Sequence, residues 1–206
     1  LKKVPVFGFV NAKQMIRVEL TPEQMRSSLN AGKAITEKRS TWRKESTGWS
    51  RGMFDDPATG IVVGLRGEMA FREIVSVYRS DVPPVDVSTH RRPSKTDFVF
   101  DSPFGKKHEV KTTIQKDLFG VNYVRSDHLT RNDCFWFCVV REIQSPKFVL
   151  RGWITAQEIQ QRGQRKNGRG NWENWIVETA DLNPISQFVR GSNDGRSFGE
   201  VGERGK

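Results

Sequence analysis

Hydrophobic and polar positions alternate along this chain in two periods, one of strands and one of helices. Met15, Ile16, Val18 and Leu20 alternate imperfectly with polar residues, which predicts a first strand over Lys13–Leu20. Thr21-Pro22-Glu23-Gln24 then has the spacing of a capping box with proline at the first helical position, so a helix is expected from there to about Arg39. From Thr36 to Gly60 the chain turns polar, with Lys38, Arg39, Arg43, Lys44 and Arg51 around Trp42 and Trp49, and reads as a long loop. The strongest helical period lies in Ile61–Arg79, where Leu65, Phe71, Ile74, Val75 and Tyr78 recur on one face. A proline-bearing connection, Ser80–Lys95, leads to short β-like runs at Asp97–Ser102, Lys107–Thr113, Val121–Arg125, Cys134–Ile143 and Lys147–Ile154. Thr155-Ala156-Gln157-Glu158 repeats the capping-box spacing and opens a short helix to about Gln161. Arg162–Gly170 reads as a basic, glycine-rich loop, Trp172–Thr179 as a last strand and Leu182–Val189 as a last helix. Helices, then adjacent hairpins, then helices again predict an α/β or α+β fold built on a mixed sheet.

Composition bounds what such a fold does. The 206 residues suit one domain over residues 1–190, followed by a Gly/Ser/charged tail over 191–206 that is expected to be disordered. No run approaches the roughly 20 apolar residues of a membrane span. The opening LKKVPVFGFV is too short in its apolar part for a secretory signal. Cys134 and Cys138 sit on one predicted strand, where four residues cover roughly 13 Å, so they neither bridge nor share a metal. They read as small core residues of a reducing, cytoplasmic compartment. Lys and Arg number 34 against 24 Asp and Glu, a net charge of +10, which favours a polyanionic partner, nucleic acid first.

The segment that carries chemistry is Thr96–Thr113, TDFVFDSPFGKKHEVKTT, two strands joined by a turn at Ser102-Pro103-Phe104-Gly105. With the turn centred near Phe104, Asp97 is expected opposite Lys111, with Glu109 diagonal to it. Glu109 and Lys111 share a strand face, while Val110 points with Phe98 and Phe100 toward the core. Two carboxylates at such a spot suit a hard divalent cation such as Mg²⁺, with the Val110 carbonyl as a further ligand. The Lys111 ammonium is placed to orient an attacking water or to neutralise charge that builds on a phosphate. Asp101 competes with Asp97, but its position beside the turn sets it apart from Lys111.

Asp97 followed by Glu109-Val110-Lys111 resembles the PD-(D/E)XK nuclease superfamily. Thr96 stands where the motif name has proline. Glu68, after Gly67 in the Ile61–Arg79 helix, shares a face with Leu65, Phe71 and Val75 and resembles the helix glutamate that often completes such a site. The resemblance spans Gly64–Gln115. It implies a three-layer α/β/α fold around a central mixed sheet, as in restriction endonucleases. By the same resemblance, Asp97 and Glu109 bind metal, Lys111 is the catalytic lysine and Glu68 supports them. Gln115 resembles a polar residue that some members hold near substrate. The implied activity is Mg²⁺-dependent endonucleolytic hydrolysis of DNA, of restriction or homing type, with Mn²⁺ as a substitute ion. Duplex DNA is the expected partner, with a homodimer where both strands are cut. A junction-specific nuclease and a non-catalytic DNA-binding protein stay open as alternatives.

Three basic strips are candidate phosphate contacts: Lys38, Arg39, Arg43, Lys44 and Arg51; Arg91 and Arg92; and Arg165 and Lys166 with Arg162 and Arg169. His108 points away from Glu109 in a regular strand. His90 and His128 lie in polar surroundings and read as surface residues, and no spacing supports a Ser/His/Asp triad.

Overall fold

The computed structural model describes residues 9–10, 15–43, 57–88, 96–115, 120–167 and 173–191. In chain order these form β1 (Phe9–Val10), β2 (Met15–Glu19), α1 (Pro22–Arg43), α2 (Pro57–Val75), β3 (Phe98–Val99), β4 (Lys107–Ile114), β5 (Val121–Arg125) and α3 (Ser126–Leu129). There follow β6 (Cys134–Val140), β7 (Lys147–Thr155), α4 (Ala156–Arg162), β8 (Gln164–Asn167), β9 (Glu173–Glu178), a 3-10 turn at Thr179–Asp181 and α5 (Ile185–Gly191). A six-stranded mixed sheet has the order β1-β2-β7-β6-β4-β3, and β5-β9-β8 form a second sheet. Within the large sheet β4 and β6 run parallel and the other ladders are antiparallel. The mixed α/β class expected from the element order is thus observed.

Local chemistry sets the helix starts. The Thr21 N–H donates to Gln24 Oε1 at 2.8 Å and the Gln24 N–H returns to Thr21 Oγ1 at 3.2 Å, so the capping box forms. α4 has the same device, with Thr155 as cap and Glu158 three residues on. α1 continues to Arg43, past the expected Arg39, and α2 begins at Pro57 instead of Ile61. Polar helix formers prolong a helix beyond its apolar stripe, and proline is at home in a first turn. Of the loop expected from Thr36 to Gly60, residues up to Arg43 and from Pro57 are helical, while residues 44–56 lie outside the described residues, as does the tail from 192.

One face of the large sheet packs on α2 and α5. Met69, Ala70, Phe71, Ile74, Ile185 and Phe188 bury against Val18, Val110, Trp136, Cys138, Leu150 and Trp153. α1 lies behind α2, with Ala31 and Ile35 against Leu65. Both cysteines of β6 are buried and free, and burial pushes the Cys134 thiol up to about 12. β7 carries one extra residue at Arg151, where the register with β6 shifts, so Leu150 and Trp153 face the same core despite their odd spacing.

The other face departs from the expected α/β/α layering. Phe135, Phe137 and Ile154 pack under Val124 of β5, Leu129 of α3, Ile159 of α4 and Trp175 and Val177 of β9. This layer is a three-stranded sheet with two short helices. Its hidden member is β8, inside the basic segment read as a loop. β8 is an edge strand, with Gln164, Arg165 and Lys166 all exposed, so it has no apolar alternation to betray it.

Candidate functional site

Ser102 and Gly105 close the turn between β3 and β4. The Gly105 N–H donates to the Ser102 carbonyl at 3.2 Å, and Gly105 has φ +121°, where glycine is favoured. Asp133 fastens the exit of the turn, accepting from the Lys106 and Lys107 amides at 2.8 and 2.9 Å. The ladder pairs Phe98 with His108 and Val99 with Lys107. Its centre is Pro103, one residue before the expected Phe104, which brings Asp97 level with Glu109 instead of Lys111. The alternation holds: Phe98, Phe100, His108 and Val110 are buried on the α2 side, leaving Asp97, Glu109 and Lys111 to the other face.

Three of the expected residues come together here. Asp97 Oδ2 accepts the Val110 N–H at 2.8 Å, the amide between Glu109 and Lys111. Lys111 Nζ pairs with Glu109 Oε1. The Glu109 residue is 6% exposed. Burial raises its pKa, but a hydrogen bond from His128 and the charges of Lys111 and His128 outweigh that, and the carboxyl ends below its ordinary value. Asp101 is exposed at the turn and pairs with Lys106 at 2.9 Å.

Two further residues share this cluster, and one corrects a sequence expectation. His128, expected on the surface, places Nδ1 2.6 Å from Glu109 Oε1 and 3.2 Å from Lys111 Nζ. Asn132 Nδ2 donates to Glu109 Oε2 at 2.7 Å. Both belong to the turn that leaves β5, doubles back over β4 and enters β6. A four-residue helix leaves no periodic signal. The clue in the sequence is the i,i+4 spacing of His128 and Asn132 just before an apolar strand.

Glu68 is buried at 6% exposure on α2. Beside it Gly67 meets β4 so closely that an added Cβ would lie 1.7 Å from Thr112 Oγ1. Val110 and Thr112 alternate with Glu109 and Lys111, so α2 meets β4 on the face opposite the cluster. β3 pairs with β4 at Lys107 and His108, and just beyond them the Asp97 carboxylate takes the Val110 N–H on the same edge. Arg72, one turn further along α2, donates to the Pro83 carbonyl at 3.1 Å.

The expected basic contacts are scattered. Lys38, half-buried, and the backbones of Arg39 and Arg43 belong to α1; Lys44, Arg51, Arg91, Arg92, Arg169 and His90 lie outside the described residues. Gln115 follows β4 with its side chain engaged inward, Oε1 accepting from buried Arg151 at 2.6 Å and Nε2 donating to the Val121 carbonyl at 3.3 Å. Arg165 stacks over Trp175 with its guanidinium carbon 5.0 Å from the ring centre and pairs with Glu173 at 3.2 Å, while Lys166 is exposed.

Among the described residues no group of three or more His, Cys, Asp or Glu side chains is arranged to hold a metal. The donor chemistry at β3 and β4 nonetheless suits Mg²⁺, which takes one or two carboxylates and fills its shell with water and phosphate oxygens. Comparison with protein families, characterised proteins and solved structures found no match. Among the described residues no helix is long and apolar enough to cross a membrane.

Proposed function

We propose that this chain is a metal-dependent endonuclease of the PD-(D/E)XK kind, with a restriction-endonuclease-like core, that hydrolyses phosphodiester bonds of duplex DNA. The observation that carries the reading is the Lys111–Glu109 pair on β4 with the Asp97 carboxylate on the Val110 amide between them. Asp97, Glu109 and the Val110 carbonyl would hold Mg²⁺ or Mn²⁺. When bound, the ion supplies Lewis-acid polarisation of the phosphate and a more acidic water. Lys111, with its side chain 24% exposed, offers an ammonium that orients the incoming water and balances charge growing on the phosphoryl oxygens. Electrostatic help of this kind is worth roughly 3–4 kcal/mol per donor. The net charge of +10 draws DNA to the site. Lys38, Arg39, Arg43, Lys44, Arg51, Arg91, Arg92, Arg165 and Lys166 are the proposed contacts, and two copies would cut both strands.

One observation favours a second reading, a non-catalytic DNA-binding protein: both Glu109 oxygens already accept hydrogen bonds. Supercoiled plasmid incubated with Mg²⁺ or with EDTA separates the two. The nuclease nicks or linearises it only with Mg²⁺, and Glu109→Gln and Lys111→Ala each lower the rate about 10²–10³-fold while binding in Ca²⁺ persists. Equal cleavage by wild type and variants, or none at all, rejects the nuclease.

A further inference from the structure

We infer that His128 and Asn132 are positioning residues that hold the Glu109 carboxylate in the orientation a divalent cation requires. This rests on the metal-site reading above and adds to it a support from outside the β3–β4 hairpin.

Glu109 Oε1 takes two donors, Lys111 and His128 Nδ1. Oε2 takes Asn132 Nδ2 at 2.7 Å and a longer approach from His128 Nδ1 at 2.9 Å. An ionised carboxylate only accepts, so Nδ1 carries the proton, and it and the Lys111 ammonium converge on one oxygen. A carboxylate has about four acceptor positions. Three donor groups meet those positions, with the His128 Nδ1–H shared between the two oxygens, so the carboxylate keeps room for one bond to a cation.

The support is itself well anchored. Asn132 is 3% exposed, and both its amide N–H, at 3.1 Å, and its Nδ2, at 3.2 Å, donate to the His128 carbonyl. Leu129 between them is buried in the second core. Asp127 is paired with Arg125 at 2.9 Å and Arg131 at 3.5 Å, and its Oδ1 lies 4.0 Å from His128 Nε2. These contacts tie the turn together, and what it presents to β4 is two N–H groups aimed at one carboxylate. Hydrogen-bonded partners of a ligand commonly set metal affinity by 10–100-fold.

Binding of Mn²⁺ to the full chain without DNA, followed by electron paramagnetic resonance, tests this. Wild type is compared with Glu109→Gln, His128→Ala, His128→Asn and His128→Gln, with thermal melts to show that each folds. Asparagine places an amide N–H near the position of Nδ1, and glutamine places it near that of Nε2. Glu109→Gln is expected to abolish binding and His128→Ala to weaken it about 10–100-fold. His128→Asn should recover most of the loss and His128→Gln little of it. If Glu109→Gln abolishes binding but His128→Ala binds like wild type, the positioning role fails and the metal site stands. Equal recovery by glutamine also overturns the role, since the Nδ1 contact would then not matter. If Glu109→Gln binds Mn²⁺ like wild type, both readings fall. Should His128→Ala not fold, the asparagine and glutamine variants decide between them.

Discussion

His108 is stacked on Phe100 with ring centres 4.0 Å apart, and its Nδ1 accepts the Trp136 indole N–H at 3.3 Å. An indole only donates, so that nitrogen is unprotonated and the ring is neutral. Burial holds its pKa down to about 4, against 6.5 for a free histidine. The unfolded chain therefore takes up a proton where the folded one does not, and stability falls as pH drops from about 6.5 to about 4. The gap corresponds to roughly 3 kcal/mol. Urea unfolding across this range should show the fall, and His108→Phe, which keeps the stack without the titration, should flatten it. An unchanged slope would contradict this. Glu109 acts in a separate window. Its carboxyl lies below the ordinary value, so its contribution is present above the unfolded value and lost only as pH falls through the lower folded one. The burial of His108 follows from strand alternation in the sequence. For His128 the local clue is only its spacing to Asn132, and the carboxylate it meets comes from another segment.

At the scale of elements, the contact between α2 and β4 is the tightest to test. A methyl at Gly67 would lie 1.7 Å from Thr112 Oγ1 and 2.8 Å from its Cβ. Side-chain rotation relieves the first contact but not the second, so the helix must shift. Gly67→Ala is expected to cost about 1–3 kcal/mol by chemical denaturation. Adding Thr112→Ala should recover only part, because Cβ remains. Full recovery would show the hydroxyl to be the whole obstacle. Because Glu68 follows Gly67 and Lys111 precedes Thr112, the shift also reaches the candidate site. Elements with a local device were legible: both capping boxes and the Ser102–Gly105 turn. β8 was not, because edge strands bury little and carry polar residues on both sides.

For the whole molecule, the +10 net charge makes a statement about salt. If DNA neutralises about four Lys or Arg charges, affinity should fall on the order of 10²-fold between 50 and 200 mM salt. Fluorescence anisotropy with a labelled duplex in Ca²⁺ measures it, and a flat response would argue against a phosphate-binding surface. The layering has its own consequence. A sheet covers the second face of β6, and α3 under it brings His128 against Glu109 and Lys111.

What the sequence determined alone is what depends on neighbours along the chain: strand period, helix caps, the turn, and the placing of Glu109 and Lys111 on one strand face. Those follow from backbone geometry and from which side chains leave water. The tertiary structure decided the rest. The hairpin register came from Asp133 gripping the turn, the Gly67 approach from helix packing, and the His128–Asn132 grip on Glu109 from a crossover between parallel strands. Each joins segments far apart in the chain through a fit of shape and donors that no local pattern encodes.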